Sequence, residues 1–213
     1  MRKLLSVLCL ASLGFFVSCS DDDSWAPAYI TDLAELYTDA SGQVATMLLD
    51  DGRTLNLEAT NITARPDTTY RCVCVYTLAD NGRATIYSAV EALSSEPIID
   101  TGNLTIKTDP CEIQAIWRGG SWLNARMLVQ GKDTPHIVAY VDEGIATDEL
   151  TGVNILTLRL FHDQNGDQEA FTRTIYLSCP LRSYADRLVH GRDSIHFVVN
   201  QYNKGTTTLR LAY

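Results

Sequence analysis

Apolar and polar residues alternate in short runs over most of the chain. Leu156, Leu158 and Leu160 occupy alternate positions and therefore share one face of an extended strand. Similar runs are separated by turn dipeptides, such as Asp-Gly at 51–52 and Asn-Gly at 81–82, which favour tight hairpins. The turn signals recur at a spacing of roughly 8–12 residues, which is typical of sandwiches and barrels. The pattern predicts an all-β protein.

Two segments depart from this pattern. Residues 31–40 contain helix-forming side chains, but tertiary pairing often overrides such short signals, and we predict a strand there. Residues 180–191 begin with Pro and end with Gly, and that asymmetry predicts one or two helical turns.

The chain begins with the pattern of a secretory signal peptide. Arg2 and Lys3 precede an uncharged, mostly apolar run, Leu4–Val17, which is too short to span a bilayer. The small residue directly before Cys19 resembles the lipobox of bacterial lipoproteins, in which the cysteine sulfur receives diacylglycerol and the chain is cut before it. We therefore predict a signal peptide at 1–18 and a membrane anchor of fatty acyl chains, such as palmitate, on Cys19.

The polar residues 19–28 indicate a short tether after this anchor. Its first part, Ser20, Asp21, Asp22 and Asp23, resembles an export signal to the outer face of the outer membrane in some anaerobic gut bacteria. We therefore predict a surface-exposed lipoprotein of the outer membrane. A solvated spacer on a periplasm-facing lipoprotein is the alternative.

Charge and length bound the rest of the chain. Removal of residues 1–18 leaves 15 basic and 26 acidic residues, a net charge of −11. A shift in charge near Pro110 predicts two domains, at 29–107 and 108–213. Residues 26–107 carry eleven acidic and only five basic residues, which argues against a nucleic-acid partner because phosphate binding needs clustered Lys and Arg.

Four cysteines remain in the mature chain besides Cys19. Cys72 and Cys74 lie two apart in a strand-like run and share one face, so we predict that both are small core residues. Cys111 and Cys179 could form a disulfide in an oxidising compartment, although the sequence does not fix the pairing. The C-x-C pair has no second pair to complete a zinc site, and no metal or other cofactor is predicted.

Residues 163–168 offer the strongest metal-like pattern. Asp163, Asn165 and Asp167 alternate as in an EF-hand loop, but the Gly and Glu that the loop requires later are missing. We favour a polar hairpin turn between two strands, with Asn-Gly at its bend. His162 could be half of a metal or acid–base pair, or it could end a strand. No zincin, hydrolase or phosphate-loop motif is present, and no catalytic residue is predicted.

The densest candidate for a binding surface is IWRGGSWLN at 116–124. Trp117 and Trp122 flank two glycines, and together with Arg118 they could stack on a sugar or anchor a partner protein. The alternative is a β-hairpin whose tryptophans pack in a sandwich, because Trp is usually highly buried.

Five stretches carry a family resemblance: YTDASGQVATMLLDDGRTL, YRCVCVYTL, IWRGGSWLNARMLV, HDQNGDQEAFTRTIYLS and DSIHFVVNQYN. In this order they resemble the NigD-like family of bacterial lipoproteins over nearly the whole mature chain. The resemblance implies an N-terminal OB-like β-barrel and a C-terminal antiparallel β-sandwich. The family's activity is not established. Its name comes from an operon associated with a bacteriocin, which implies an immunity or accessory role by association.

These observations predict a non-enzymatic, lipid-anchored envelope protein that binds an unidentified partner protein or ligand through a β surface. A bacteriocin-immunity or accessory role is the narrower form of this hypothesis. The alternative is a glycan-binding accessory or enzyme component at the cell surface. A concave row of exposed aromatics with paired carboxylates would favour the alternative, whereas a flat apolar patch would favour a protein partner.

Overall fold

The computed structural model describes residues 28–58, 62–102 and 104–213, which fold as β-strands joined by turns. The predicted signal peptide, the lipidation of Cys19 and the export signal all fall within residues 1–27, outside the described residues. The described part contains no helix with the length and apolarity needed to cross a bilayer.

Five strands form an antiparallel sheet near the N-terminus, which we term the N-terminal unit. They are β1 (Ile30–Thr38), β2 (Val44–Leu49), β3 (Thr54–Asn56), β4 (Thr69–Leu78) and β5 (Ala84–Glu91). Their order across the sheet is β3-β2-β1-β4-β5. The strand predicted at 31–40 is confirmed as β1. It pairs with both β2 and β4 and sends Ala34 and Leu36 into the core, so tertiary pairing outweighs the helical propensity of this segment.

No continuous ladder closes the N-terminal sheet into a barrel within the described residues. The outer strands meet only at a single parallel bridge between Leu57, just after β3, and Ala84, at the start of β5. Beside it, the backbone N–H of Glu58 donates to the carbonyl of Ala84 at 2.8 Å. The predicted OB-like barrel is therefore an incompletely closed sheet, because β3 has only three residues with which to pair.

The other strands form two sheets that pack face to face, which we term the C-terminal sandwich. They are β6 (Leu93–Ser94), β7 (Ile98–Ile99), β8 (Glu112–Gly119), β9 (Trp122–Gly131), β10 (Ile137–Thr147), β11 (Asn154–Asp163), β12 (Phe171–Pro180), β13 (Ser194–Gln201) and β14 (Gly205–Ala212). One sheet has the order β14-β13-β11-β10-β7 and the other β6-β12-β9-β8. Leu156, Leu158 and Leu160 share one buried face, which confirms the alternation seen in the sequence.

The predicted C-terminal β-sandwich is confirmed, but its strands are not antiparallel throughout. Three strand pairs are parallel: β6 with β12, β7 with β10, and β11 with β13. After β11 the chain crosses to β12 in the opposite sheet and then returns to β13, which can therefore enter beside β11 in the same direction.

The turn at 163–168 also differs from its prediction. Asn165 and Gly166 adopt positive φ angles of 55° and 73°, so this is a tight turn as the Asn-Gly pair indicates. It is not a hairpin, because β11 and β12 belong to different sheets and do not pair. At 180–191, the predicted helical turn is a 3-10 turn at Arg182–Tyr184.

The boundary predicted between residues 107 and 108 stays a prediction. Strand pairing assigns the two short strands before it, β6 and β7, to the C-terminal sheets. Cys111, Asn200 and Gln201 also hold the start of the following segment against β13.

All four cysteines of the described chain are buried and free. Cys72 and Cys74 lie in the core of the N-terminal unit, as predicted. The possible disulfide between Cys111 and Cys179 is not present in the structure, where both are free thiols buried in the core of the sandwich. Burial raises the pKa of the Cys72 thiol to about 11 and that of Cys111 to about 12, which keeps both protonated.

Candidate functional site: the cleft between the two units

The N-terminal unit meets the sandwich through the outer face of its own sheet. Side chains alternate across β1 and β4: Ala34 and Cys72 enter the core, whereas Glu35 and Arg71 lie on the opposite face. Glu35 and Arg71 are directly paired in register. Val73 lies two positions further along β4 on this same outer face.

The facing surface belongs to β9 and its neighbours. In β9, Leu123 and Ala125 enter the sandwich core, and Asn124 and Arg126 lie on the other face. Asn124 is nonetheless fully buried, because the N-terminal unit covers it. Both faces of β9 are therefore used, one in the core and one between the units.

A buried ion pair joins the two surfaces. Arg71, whose side chain is 2% exposed, forms an ion pair with Asp50: Nη1 lies 2.7 Å from Oδ1, and Nη2 donates to Oδ2 at 2.8 Å. The same guanidinium donates to Asn124 Oδ1 at 3.0 Å and to Ser178 Oγ at 3.1 Å. Asn124 Nδ2 completes the network with a 2.9 Å bond to Asp50. These contacts fix the relative position of the sheets, because breaking them would leave a charge buried.

Trp122 extends the same interface. Its Nε1 donates to Glu35 Oε1 at 2.7 Å, and the hydroxyl of Tyr37 donates to the other oxygen of that carboxylate. The guanidinium carbons of Arg71 and Arg182 lie 4.8 and 5.5 Å from the Trp122 ring centroid, within cation–π range. The indole is thus held by polar and stacking contacts at once.

Gly119 and Gly120, in the turn between β8 and β9, permit this turn to pack closely against Asp50. A Cβ added to Gly119 would lie 2.3 Å from Oδ2 of Asp50, and one added to Gly120 would lie 2.8 Å from the Asp50 carbonyl oxygen. Gly120 also has a φ of +53°, which disfavours other residues. The Gly-Gly pair therefore brings the hairpin against the turn after β2.

The structure does not bring Trp117, Arg118 and Trp122 together on one exposed surface. Trp122 is only 7% exposed, because it packs against the N-terminal unit rather than in the sandwich core. Arg118 lies with its guanidinium carbon 5.0 Å from the ring of Tyr213. Trp117 alone of the three lines an open cleft.

That cleft, of about 550 Å³, lies between the two units. Trp117, Arg126 and Tyr176 line it from the sandwich, and Arg126 lies over the Tyr176 ring at 5.9 Å. Thr31, Asp32, Asp51 and Arg53 are among the residues that line it from the N-terminal unit. Such clefts between packed units are common sites of ligand binding.

The charges in the cleft are partly paired. The backbone N–H and the guanidinium of Arg53 lower the pKa of Asp51, so this exposed carboxylate is ionised. Tyr76 donates its hydroxyl to Asp32 at 2.8 Å, and burial raises the pKa of that phenol well above its ordinary value. The cleft thus offers aromatic surface together with charges of both signs.

Arg71 and Asp50 were not singled out from the sequence. The available signal was a lone Arg inside the apolar strand YRCVCVYTL, because a charge that interrupts such a run must be paired if it is buried. The sequence offers no comparable sign that Asp50 is its partner.

His162 and the aspartates of residues 163–168, the segment that resembles an EF-hand loop, form hydrogen bonds and ion pairs within the protein. The ring nitrogens of His136 and His162 are 2.9 Å apart, and His162 Nδ1 lies 2.8 Å from the carbonyl oxygen of Asp109. Burial lowers the pKa of His162, although the bond to Asp109 opposes it. His162 is thus the penultimate residue of β11, at the end of its strand as one interpretation predicted, but it is fully buried.

Asp167 is also almost fully enclosed. Burial by itself would raise its pKa, but the backbone N–H groups of Thr134, Lys132 and Asp133 hold that pKa below its ordinary value. Asp163 is paired with Lys107 at 2.7 Å. The part of the chain that the structure describes contains no cluster of three or more His, Cys, Asp or Glu arranged to hold a metal.

Sequence comparison identifies one family model. Residues 94–213 match the NigD-like C-terminal beta sandwich domain. No curated protein matches the chain.

Several solved structures share the fold. A NigD-like immunity protein from Bacteroides caccae is 27% identical, with a TM-score of 0.71 over 87% of this chain and 93% of that one. A protein from Parabacteroides distasonis, provisionally described as toxin-related, is 21% identical with a TM-score of 0.67 over 87% and 93%. A protein from Bacteroides fragilis, provisionally described as a lipoprotein, is 14% identical with a TM-score of 0.55 over 87% and 96%. The last two likenesses concern the fold alone.

Proposed function

This chain belongs to the NigD-like family, and on that premise we propose that it is a non-enzymatic, immunity-type protein that binds a partner protein in the cleft between its two units. A lipid on Cys19 holds it at the outer membrane, where it faces the cell exterior. The partner in this proposal is a toxin acting at the envelope. The 27% identical immunity protein from Bacteroides caccae, which aligns over both units, supports this role.

The cleft itself carries the proposal. It is formed in advance, because the buried pair of Arg71 and Asp50 fixes the two units that build it. Trp117 and Tyr176 offer aromatic surface, and Arg126 adds a charge beside them. Aromatic and Arg side chains are the types that most often dominate the binding energy of protein interfaces.

The residues of the cleft favour binding over catalysis. Those that the structure describes include carboxylates, arginines and aromatics, but no histidine, cysteine or serine. A serine or cysteine nucleophile with a histidine base beside it is therefore lacking in the described lining.

One observation favours the glycan alternative. Trp117 and Tyr176 share the cleft with the carboxylates of Asp32 and Asp51, and aromatics beside carboxylates suit a sugar. Under this alternative the protein is a glycan-binding accessory, or part of a surface enzyme system.

Gene deletion followed by challenge with toxin-producing neighbours tests the immunity role. We expect deletion to sensitise the cells, the wild-type gene to restore protection, and Trp117→Ala to fail. Tyr87→Ala is the matched control, because Tyr87 is an exposed aromatic outside the cleft and should restore protection fully. Unchanged killing after deletion would contradict the proposal. Capture on the native lipidated protein of a glycan instead of a protein would favour the alternative.

The anchor has a separate test. Cys19→Ala should release the protein from membranes, and Ala at Asp21, Asp22 and Asp23 should remove its protease accessibility on intact cells. An unmodified Cys19 in the mass spectrum of the native protein would contradict the lipid anchor. Undiminished protease accessibility after the aspartate changes would contradict the export signal.

A further inference from the structure

One edge of β12 lacks a strand partner over half of its length. β12 pairs with β9 from Phe171 to Pro180, but on its other side β6 pairs only with Leu177 and Ser178. Among the described residues no strand covers this outer edge between Phe171 and Tyr176. In an antiparallel ladder alternate residues direct their N–H and C=O groups to opposite sides, so this edge presents backbone donors and acceptors for a further strand.

The free edge carries none of the usual protections against pairing. Its sequence, FTRTIY, contains no Pro or Lys, and its register with β9 runs without a bulge. The single charge, Arg173, is turned aside: Nη1 donates to the carbonyl of Thr134 and lies 3.7 Å from Asp167. The other five residues of the edge are β-branched or aromatic, which favours strand pairing.

A groove of about 410 Å³ runs beside this edge. Val90 and Leu93 form part of its wall and are 63% and 47% exposed. Ile175 lies on the β12 side of the same groove. A strand added to β12 would therefore cover apolar side chains of both units.

The charge of the groove indicates which side chains a bound segment should carry. Glu91 lines the groove, and no described residue forms an ion pair with it. Arg173, the cation of the groove, already has Asp167 beside it. The whole chain also carries a formal net charge of −9. A basic side chain complements both the local and the overall charge.

We propose that this edge and groove bind an extended segment of a partner protein by strand addition to β12, with apolar side chains at alternate positions facing Val90 and Leu93 and a basic side chain near Glu91. The backbone of β12 supplies the hydrogen bonds and the groove supplies the selectivity. The inference goes beyond the proposed function, since it requires neither the immunity role nor occupancy of the cleft.

The test uses a displayed library of short random peptides selected against the mature protein. Selection should enrich peptides that alternate apolar residues and carry a Lys or Arg. A synthetic peptide of the enriched sequence should slow amide hydrogen exchange at alternate residues within Phe171–Tyr176. Val90→Lys should weaken its binding by at least about tenfold. Leu150→Lys, which changes an exposed apolar residue in a distant turn, should leave binding unchanged.

Three results would overturn the proposal. The first is that no peptide is enriched, or that the enriched peptides bind Val90→Lys as well as they bind the wild type. The second is that Glu91→Gln has no effect on a basic peptide. The third is that the β12 edge is already protected in the free protein and that this protection grows with protein concentration as a dimer forms. That result would assign the edge to a second copy of the chain.

Discussion

Trp122 Nε1 and Glu35 Oε1 are 2.7 Å apart, and this hydrogen bond crosses from the sandwich to the N-terminal unit. The tryptophan most conspicuous in the sequence thus contributes to the joint between the units. The same joint buries Arg71 against Asp50. The cleft lies directly beside this contact, because Asp50 both pairs with Arg71 and lines the cleft.

Replacing Arg71 with Met should lower the free energy of unfolding by about 3–5 kcal/mol, because it leaves Asp50 and Asn124 without their shared partner in a mostly buried position. Urea unfolding followed by tryptophan fluorescence measures this. The matched control is Arg53→Met, which breaks an exposed ion pair with Asp51 and should leave the midpoint almost unchanged. Equal effects of the two variants would show that the buried network contributes little.

Replacing Gly120 with Ala should destabilise the protein more than the same change at Gly152. Both residues have positive φ, so each substitution has a conformational cost of about 1–2 kcal/mol. Only at Gly120 would the new Cβ also approach the carbonyl oxygen of Asp50, to 2.8 Å, whereas nothing lies within 4 Å at Gly152. Thermal unfolding of both variants measures the difference. Similar losses would mean that the hairpin can move away from Asp50 at no cost.

Stability should fall as the pH is lowered below the ordinary pKa of histidine, in part because of His162. Burial lowers the pKa of His162 in the folded state, so the unfolded chain binds a proton that the folded chain resists. This contribution is complete above about pH 6.5 and is lost as the pH falls through the lowered pKa. Urea unfolding at about pH 7.5 and about pH 5.5 measures the slope, which His162→Gln should reduce. An unchanged slope in this variant would remove His162 as its source.

The thiols should be unreactive in the folded protein. Burial raises the pKa of Cys74 and Cys111 to about 12, so almost no thiolate forms near neutral pH. With Cys19 replaced by Ala, the mature chain should react slowly with a thiol reagent and release four equivalents once denatured. Two equivalents, with an intact mass lower by two hydrogens, would instead show that one disulfide has formed, and its loss in Cys179→Ala would be consistent with pairing to Cys111.

The sequence predicts local features well where one interaction decides them. Leu156, Leu158 and Leu160 alternate because one face of β11 packs in the core, and the pattern is visible without a structure. Asn-Gly at 81–82 predicts the turn between β4 and β5 because few residues tolerate its backbone angles. Even β1, with its helical propensity, is a strand because both neighbouring strands pair with it.

The sequence does not indicate which distant segments pair with or contact one another. Nothing near β11 indicates that the next strand enters the other sheet, so the sequence predicts a hairpin at 163–168. Trp122 suits a ligand site, a core or an interface equally well, and only the position of Glu35 decides among them. Asp50 and Arg71 are 21 residues apart in the chain, and although Arg71 interrupts an apolar run, nothing in the sequence indicates that Asp50 is its partner.

The double use of β9 has a consequence for how such proteins can diversify. The Leu123 face of β9 packs in the sandwich core, and its Asn124 face contacts the N-terminal unit. A substitution in β9 can therefore affect the packing of both units. A chimaera that joins the first five strands of one relative to the sandwich of another would inherit mismatched halves unless Asp50, Arg71 and Asn124 were transferred together. We therefore expect the two units to be exchanged between relatives only together.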